Sequence, residues 1–167
     1  MRKCFAVLLA SLLWVSAASA AAPAQTFDVA VYGAGTGGCA AAIQAARMGA
    51  SVALIEPSGW VGGQAIPVST MDDVTMTRTG LYNEFISRVT EFYAALDTNV
   101  NVCYWGSDTV AFEPREGQKV LLDMLGTAGS VQLMLNTSPG SAKVEKNRVT
   151  SAVFAAGGKK FTVKAKV

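Results

Sequence analysis

The chain has 167 residues, enough for one modest domain, and 51% of them are apolar. Fourteen basic residues face twelve acidic ones, for a net charge of +2, so no cationic footprint for nucleic acid stands out. With no histidine, the chain can use neither histidine acid–base chemistry nor histidine metal ligands.

The N-terminus opens with Arg2 and Lys3, then an apolar run from Phe5 to Val15 broken only by Ser11. Ala18-Ser19-Ala20 follows as an A-x-A cleavage signal, so residues 1–20 are expected to be a signal peptide. The apolar run is too short for a helical membrane span. The reading is therefore of an exported protein, periplasmic or extracellular, with residues 21–167 folding. Arg2-Lys3 is not a twin arginine, which favours a general secretory route. Loss of these two cations leaves the remaining charges balanced. Ala21 to Thr26 reads as a short tail.

Phe27 to Glu56 dominates what remains: FDVAVYGAGTGGCAAAIQAARMGASVALIE. An apolar run, Val29 to Tyr32, predicts a strand. Gly33-Ala34-Gly35-Thr36-Gly37-Gly38 predicts a tight turn. An alanine-rich stretch closed by Gly49 predicts a helix, in which Ala40, Ala41, Ala42, Ala45 and Ala46 permit close packing on a sheet. Val52 to Ile55 predicts a second strand, ending in Glu56. Gly33 allows the sharp exit from the first strand, Gly35 leaves the backbone bare for a pyrophosphate, and Gly38 with Ala42 lets the helix approach the sheet. The turn's N–H groups and the helix N-terminus favour a phosphate. Glu56 lies 23 residues after Gly33. There it can accept from the hydroxyls of an adenosine ribose and repel a 2′-phosphate, which argues against NADP.

Pro57-Ser58-Gly59-Trp60-Val61-Gly62-Gly63-Gln64 then concentrates glycine where the backbone must turn tightly or approach something. Ala65 to Thr77 shows no period, and its Asp72-Asp73 pair reads as a solvated loop rather than a metal site. Gly80 to Leu96 reads as a helix with Leu81, Phe85, Val89 and Phe92 on its inner face. Asp97 to Asp108 is irregular. Glu113 to Leu125 is a second helix, with Pro114 in its first turn and Val120, Leu121, Met124 and Leu125 facing inward; Gly126 and Gly129 punctuate its end. Strands follow at Val131–Leu135, Ala142–Val144, Val149–Ala155 and Lys160–Val167, with turns at Lys146-Asn147 and Gly157-Gly158. Asn136-Thr137-Ser138 matches a glycosylation acceptor that matters only in a eukaryotic secretory cell. No CxxC supports disulfide-reductase chemistry. Cys39 reads as packing, although a Cys39–Cys103 bridge stays open.

From Asp28 onward the chain resembles the FAD-dependent oxidoreductases with a glutathione-reductase-type Rossmann fold, and their exported bacterial branch in particular. The features that carry this are VYGAGTGGCAAAIQAARMGASVALIE, the glycine pair in GWVGGQ, and CYWGSDTVAFEPREGQKVLLDML followed by a strand and a β-meander. The resemblance implies an α/β Rossmann-like FAD/NAD(P)-binding fold, a parallel sheet with helices plus a β-meander. It implies FAD as cofactor and hydride transfer between a small-molecule substrate and the flavin. Gly33, Gly35 and Gly38, with the backbone of Ala34, Thr36 and Gly37, would cradle the pyrophosphate, and Glu56 would hold the ribose. Gly62, Gly63 and Gln64 would lie along the ribityl chain. The adenine would meet backbone near Ser138-Pro139, where proline lacks an N–H. No metal is implied, and no catalytic residue can be named; Tyr82, Tyr104 and Asp72 read as structural.

In the family a further parallel strand and a substrate domain follow the meander. Lys164-Ala165-Lys166-Val167 falls where that strand should begin, so the domain is expected to be C-terminally incomplete, with an unpaired edge and exposed apolar surface. Two other readings stay open, an NAD-binding dehydrogenase domain and a non-catalytic truncated remnant.

Overall fold

A computed structural model describes residues 23–66, 79–96 and 111–167. The expected signal peptide, Asp72-Asp73, Cys103 and Tyr104 lie outside the described residues.

Three layers stack around one parallel sheet. Its strands are β2 (Val29–Tyr32), β3 (Val52–Ile55) and β4 (Val131–Met134), in the order β2-β3-β4. Both pairings are parallel, with Val29 opposite Val52 and Val52 opposite Val131. All four residues of β3 are buried, which suits a central strand covered on both faces and explains its unbroken apolar run. Because side chains alternate, Val52 and Leu54 join one core cluster while Ala53 and Ile55 join another. Full burial of Leu54 contributes roughly 1.5–3 kcal/mol.

The first cluster packs against α1 (Thr36–Arg47), α2 (Gly80–Ala94) and α3 (Pro114–Thr127). In α1 the inner face is Cys39, Ala42, Ile43 and Ala46. Ala41, expected to pack on the sheet, is instead exposed, because a 3.6-residue period turns it outward once Ala42 faces in. Gly49, at φ +89, ends the helix in a left-handed turn. The inner face of α2 is Phe85, Ile86, Val89 and Tyr93, with Leu81 and Phe92 only partly buried. Tyr93 can sit inside because its hydroxyl accepts from Glu113 N–H at 2.8 Å and donates to the Glu113 carboxylate at 3.2 Å, tying α2 to the start of α3. In α3 the four expected residues are all buried. Gly126 does not end this helix, which runs on to Thr127; Gly117 is required within it because a Cβ there would fall on the Phe112 ring.

The second cluster packs against an antiparallel meander, β5 (Ser138–Glu145), β6 (Arg148–Ala156) and β7 (Lys159–Ala165), through Phe154 and Val163. Both hairpins turn through two residues at positive φ, Lys146-Asn147 and Gly157-Gly158, the geometry that matches strand twist. β5 starts four residues before the expected Ala142, because Pro139 and Gly140 are poor strand formers that an edge strand with an irregular register tolerates. The expected N-terminal tail contains β1 (Gln25–Phe27), which pairs in parallel with β7. On its other side β2 meets residues 166–167: Ala30 N–H donates to the Val167 carbonyl at 2.9 Å, and the Lys166 and Val167 N–H groups both donate to the Asp28 carbonyl at 3.1 Å. Tyr32, at the end of that edge, is 52% exposed. Among the described residues no helix is long and apolar enough to cross a membrane.

Candidate functional site

The end of β2 and the start of α1 form a bare turn. Gly33 leaves the strand at φ +98, a conformation that disfavours any side chain. Gly35 caps α1 with an extended backbone and no side-chain bond. The first intrahelical bond is from Cys39 N–H to the Gly35 carbonyl at 2.9 Å, so the N–H groups of Thr36, Gly37 and Gly38 have no partner within the helix. No acidic residue in the first turn competes for them. A Cβ on Gly35 would meet no heavy atom within 4 Å, which makes this an open approach to the helix end. At Gly38 a Cβ would fall on the Gly33 carbonyl oxygen, so the first turn of α1 can lie against β2 only without one.

The second glycine stretch braces the first. Gly62 N–H donates to the Ala34 carbonyl at 2.7 Å, the Thr36 hydroxyl donates to the Gly62 carbonyl at 3.1 Å, and Gly35 and Gly62 form a parallel bridge. Gly62 and Gly63 both have positive φ, and a Cβ on Gly63 would lie 3.0 Å from Gly35 Cα. Gln64 sits exposed on the short 3₁₀ turn that follows, Gly63–Ala65.

Glu56 reaches back across the end of the sheet. Its Oε2 accepts from Ala34 N–H at 2.7 Å, and its Oε1 accepts from both Ser58 N–H at 2.9 Å and the Ser58 hydroxyl at 2.7 Å. Burial pushes its pKa up, but these three donors outweigh it, and the carboxyl ends below its ordinary value. Glu56 is an anion at neutral pH, held beside the turn. Ala34 departs from expectation. Its N–H is taken by Glu56 and its carbonyl by Gly62 and the Cys39 thiol, and the residue is fully buried, so its backbone braces the loop and is not open to a phosphate.

On the helical side, a cleft of about 120 Å³ is lined by Thr36, Cys39, Gly62, Ile66, Tyr82 and Met124 among others. It is smaller than the ~300 Å³ of an ordinary ligand site. Cys39 is a free thiol there, pushed up to about 11 by burial, and is inert as a nucleophile at neutral pH. No cluster of three potential metal ligands exists among the described residues. Tyr82 lies in α2 and lines the cleft.

Residues 28–167 match the family described as FAD dependent oxidoreductase. The chain belongs to this family. Its cofactor is FAD, and the turn fits that group: an open glycine at the cap, helix N–H groups with no partner within the helix, and a carboxylate within reach of the same loop. Solved structures share the fold. A geranylgeranyl bacteriochlorophyll reductase-like protein from Thermoplasma acidophilum is 19% identical at a TM-score of 0.60, over 87% of this chain and 38% of that one. L-Amino acid deaminase from Proteus vulgaris is 14% identical at 0.56, over 87% and 47%. The p-nitrophenol 4-monooxygenase PnpA from Pseudomonas putida DLL-E4 is 15% identical at 0.54, over 85% and 40%. At these identities the likeness is one of fold alone, and the chain spans less than half the length of each. No curated protein matches the chain.

The fold thus brings Gly33, Gly35, Thr36, Gly37, Gly38, Glu56, Gly62 and Gly63 to one end of the parallel sheet. The expected adenine contact near Ser138-Pro139 falls in β5, where Pro139 pairs with Phe154. Just before it, the Thr137 and Asn136 N–H groups are spent on the carbonyls of Glu56 and Ser58. Sequence reasoning gave Ser58 no role. The available signal was a hydroxyl two residues after a strand-ending acid, the spacing at which side chain and backbone can both return to one carboxylate.

Proposed function

We propose that this chain binds FAD through the turn between β2 and α1, and that the whole protein transfers hydride between a small-molecule substrate and the flavin. The observation that carries the reading is the unencumbered N-terminus of α1 behind Gly35, with the Glu56 anion one hydrogen bond away from the same loop. The N–H groups of Thr36, Gly37 and Gly38 would hold the diphosphate; Glu56 would take the adenosine ribose and disfavour a 2′-phosphate. Gly62, Gly63 and Gln64 would border the ribityl chain, with the two glycines also keeping the loop in shape. FAD supplies the redox chemistry when bound, and these residues supply position and charge. Export to the periplasm or beyond is part of this proposal, supported by Arg2-Lys3, the apolar run and Ala18-Ser19-Ala20.

Titration of the purified chain with FAD tests the cofactor site. Quenching of flavin fluorescence, with a yellow protein after gel filtration, is the expected result. A well-folded chain that stays colourless and leaves flavin fluorescence unchanged would overturn the assignment.

A further inference from the structure

We propose that the Ser58 hydroxyl is a reversible cap on the ribose carboxylate, donating to Glu56 in the free protein and turning to the Trp60 carbonyl when a ribose diol arrives. This rests on the reading that Glu56 receives the adenosine ribose. A carboxylate accepts about two hydrogen bonds per oxygen. Among the described residues, Oε1 already accepts two, from Ser58 N–H and the Ser58 hydroxyl, and Oε2 accepts one, from Ala34 N–H. One position remains, yet a ribose diol brings two donors, so one of the three present donors must leave.

Two of them cannot. Ala34 N–H is fixed between the strand end and the turn, and the Ala34 carbonyl is bonded to Gly62. Ser58 N–H is fixed by the turn itself, with the Ser58 carbonyl bonded to Asn136 N–H at 2.9 Å. The hydroxyl can leave, since it carries one proton on a rotating bond. Its second acceptor is already in reach, the Trp60 carbonyl at 3.3 Å, and Trp60 N–H donates to Ser58 Oγ at 3.2 Å, which holds that oxygen in place while the proton turns. In the free protein the cap keeps the anion satisfied and aimed at the loop. In the loaded protein it gives up one position to the sugar. Ser58 is thus a positioning residue with a say in how strongly the second hydroxyl is counted.

The test compares ADP with 2′-deoxy-ADP on the full chain by calorimetry, for the parent, Ser58→Ala and Ser58→Thr. The deoxy sugar needs only the open position, so it binds without displacing the cap. Removing the cap should help ADP and not the deoxy analogue, raising the preference for ADP by about threefold or more, the worth of one modest hydrogen bond. Ser58→Thr keeps the hydroxyl and should restore the parent ratio. A purely structural serine would weaken both ligands together and leave the ratio unchanged, and that outcome overturns the proposal. Failure of the parent to bind either nucleotide would instead defeat the cofactor reading, and this one with it.

Discussion

Gly35→Val separates the two jobs that glycine does in the phosphate turn. The backbone at Gly35 is extended, φ −67 and ψ −177, which a valine adopts without strain, and a Cβ there meets nothing within 4 Å. The free protein should therefore keep its stability to within about 1 kcal/mol, the small loss being that of a glycine cap. In the proposed mode of binding, the same Cβ would stand where a diphosphate comes to reach the Thr36, Gly37 and Gly38 N–H groups. Bonds to a charged acceptor are worth about 1.5–3 kcal/mol each, so losing two costs roughly 3–6 kcal/mol. At about 1.4 kcal/mol per tenfold, FAD affinity should fall by at least about a hundredfold. Gly38→Ala is the counterpart. Its Cβ would overlap the Gly33 carbonyl, a backbone atom that cannot swing away, so the chain itself should lose about 1–3 kcal/mol or more. Urea unfolding of the FAD-free proteins reads the first quantity and fluorescence titration the second. A Gly35→Val chain that binds FAD normally, or one that unfolds as easily as Gly38→Ala, would refute the reasoning.

Asp28 clasps the start of the parallel sheet, accepting from Lys166 Nζ at 2.6 Å and from the Ser51 hydroxyl and N–H at 2.6 and 2.8 Å. The Lys166 ammonium, then Ser51, holds its carboxyl well below the usual carboxylate range. A depressed folded pKa gives stability that is present above the unfolded value, 3.8, and lost as pH falls through the folded one. The Tm gap between parent and Asp28→Asn should accordingly be flat above about pH 5 and close in stronger acid; a gap that widens there would contradict the clasp. Cys39 should resist iodoacetamide at pH near 8 until urea unfolds the chain, because its thiol is buried and titrates only at about 11. Peptide mapping that finds Cys39 alkylated in the native protein would argue that the cleft beside it opens.

Much of the fold was legible because its signals are local. Periodicity marks α2 and α3, two-residue turns mark the meander, and the run from Gly33 to Glu56 marks the turn, helix and strand that follow β2. Where reading stopped, the causes were non-local. β1 exists only because Gln25–Phe27 meets β7, far along the chain. The face of α1 was misjudged at Ala41 because alanine is equally at home inside and outside; only packing decides. Glycine likewise does not announce its use. Gly35 stands where a Cβ would have room, Gly38 and Gly62 are bare because neighbouring atoms leave no room, and the three letters are the same.

That a strand, a glycine turn, a helix and an acid-tipped strand follow one another is written in short runs of adjacent residues. Tertiary structure decided which backbone groups remain free. Ala34 is spent because Glu56 and Gly62 converge on it from elsewhere in the chain, while among the described residues nothing converges on the helix end behind Gly35. Hydrogen-bonding capacity is a property of three-dimensional neighbours, and so the same motif carries different availability at each of its residues.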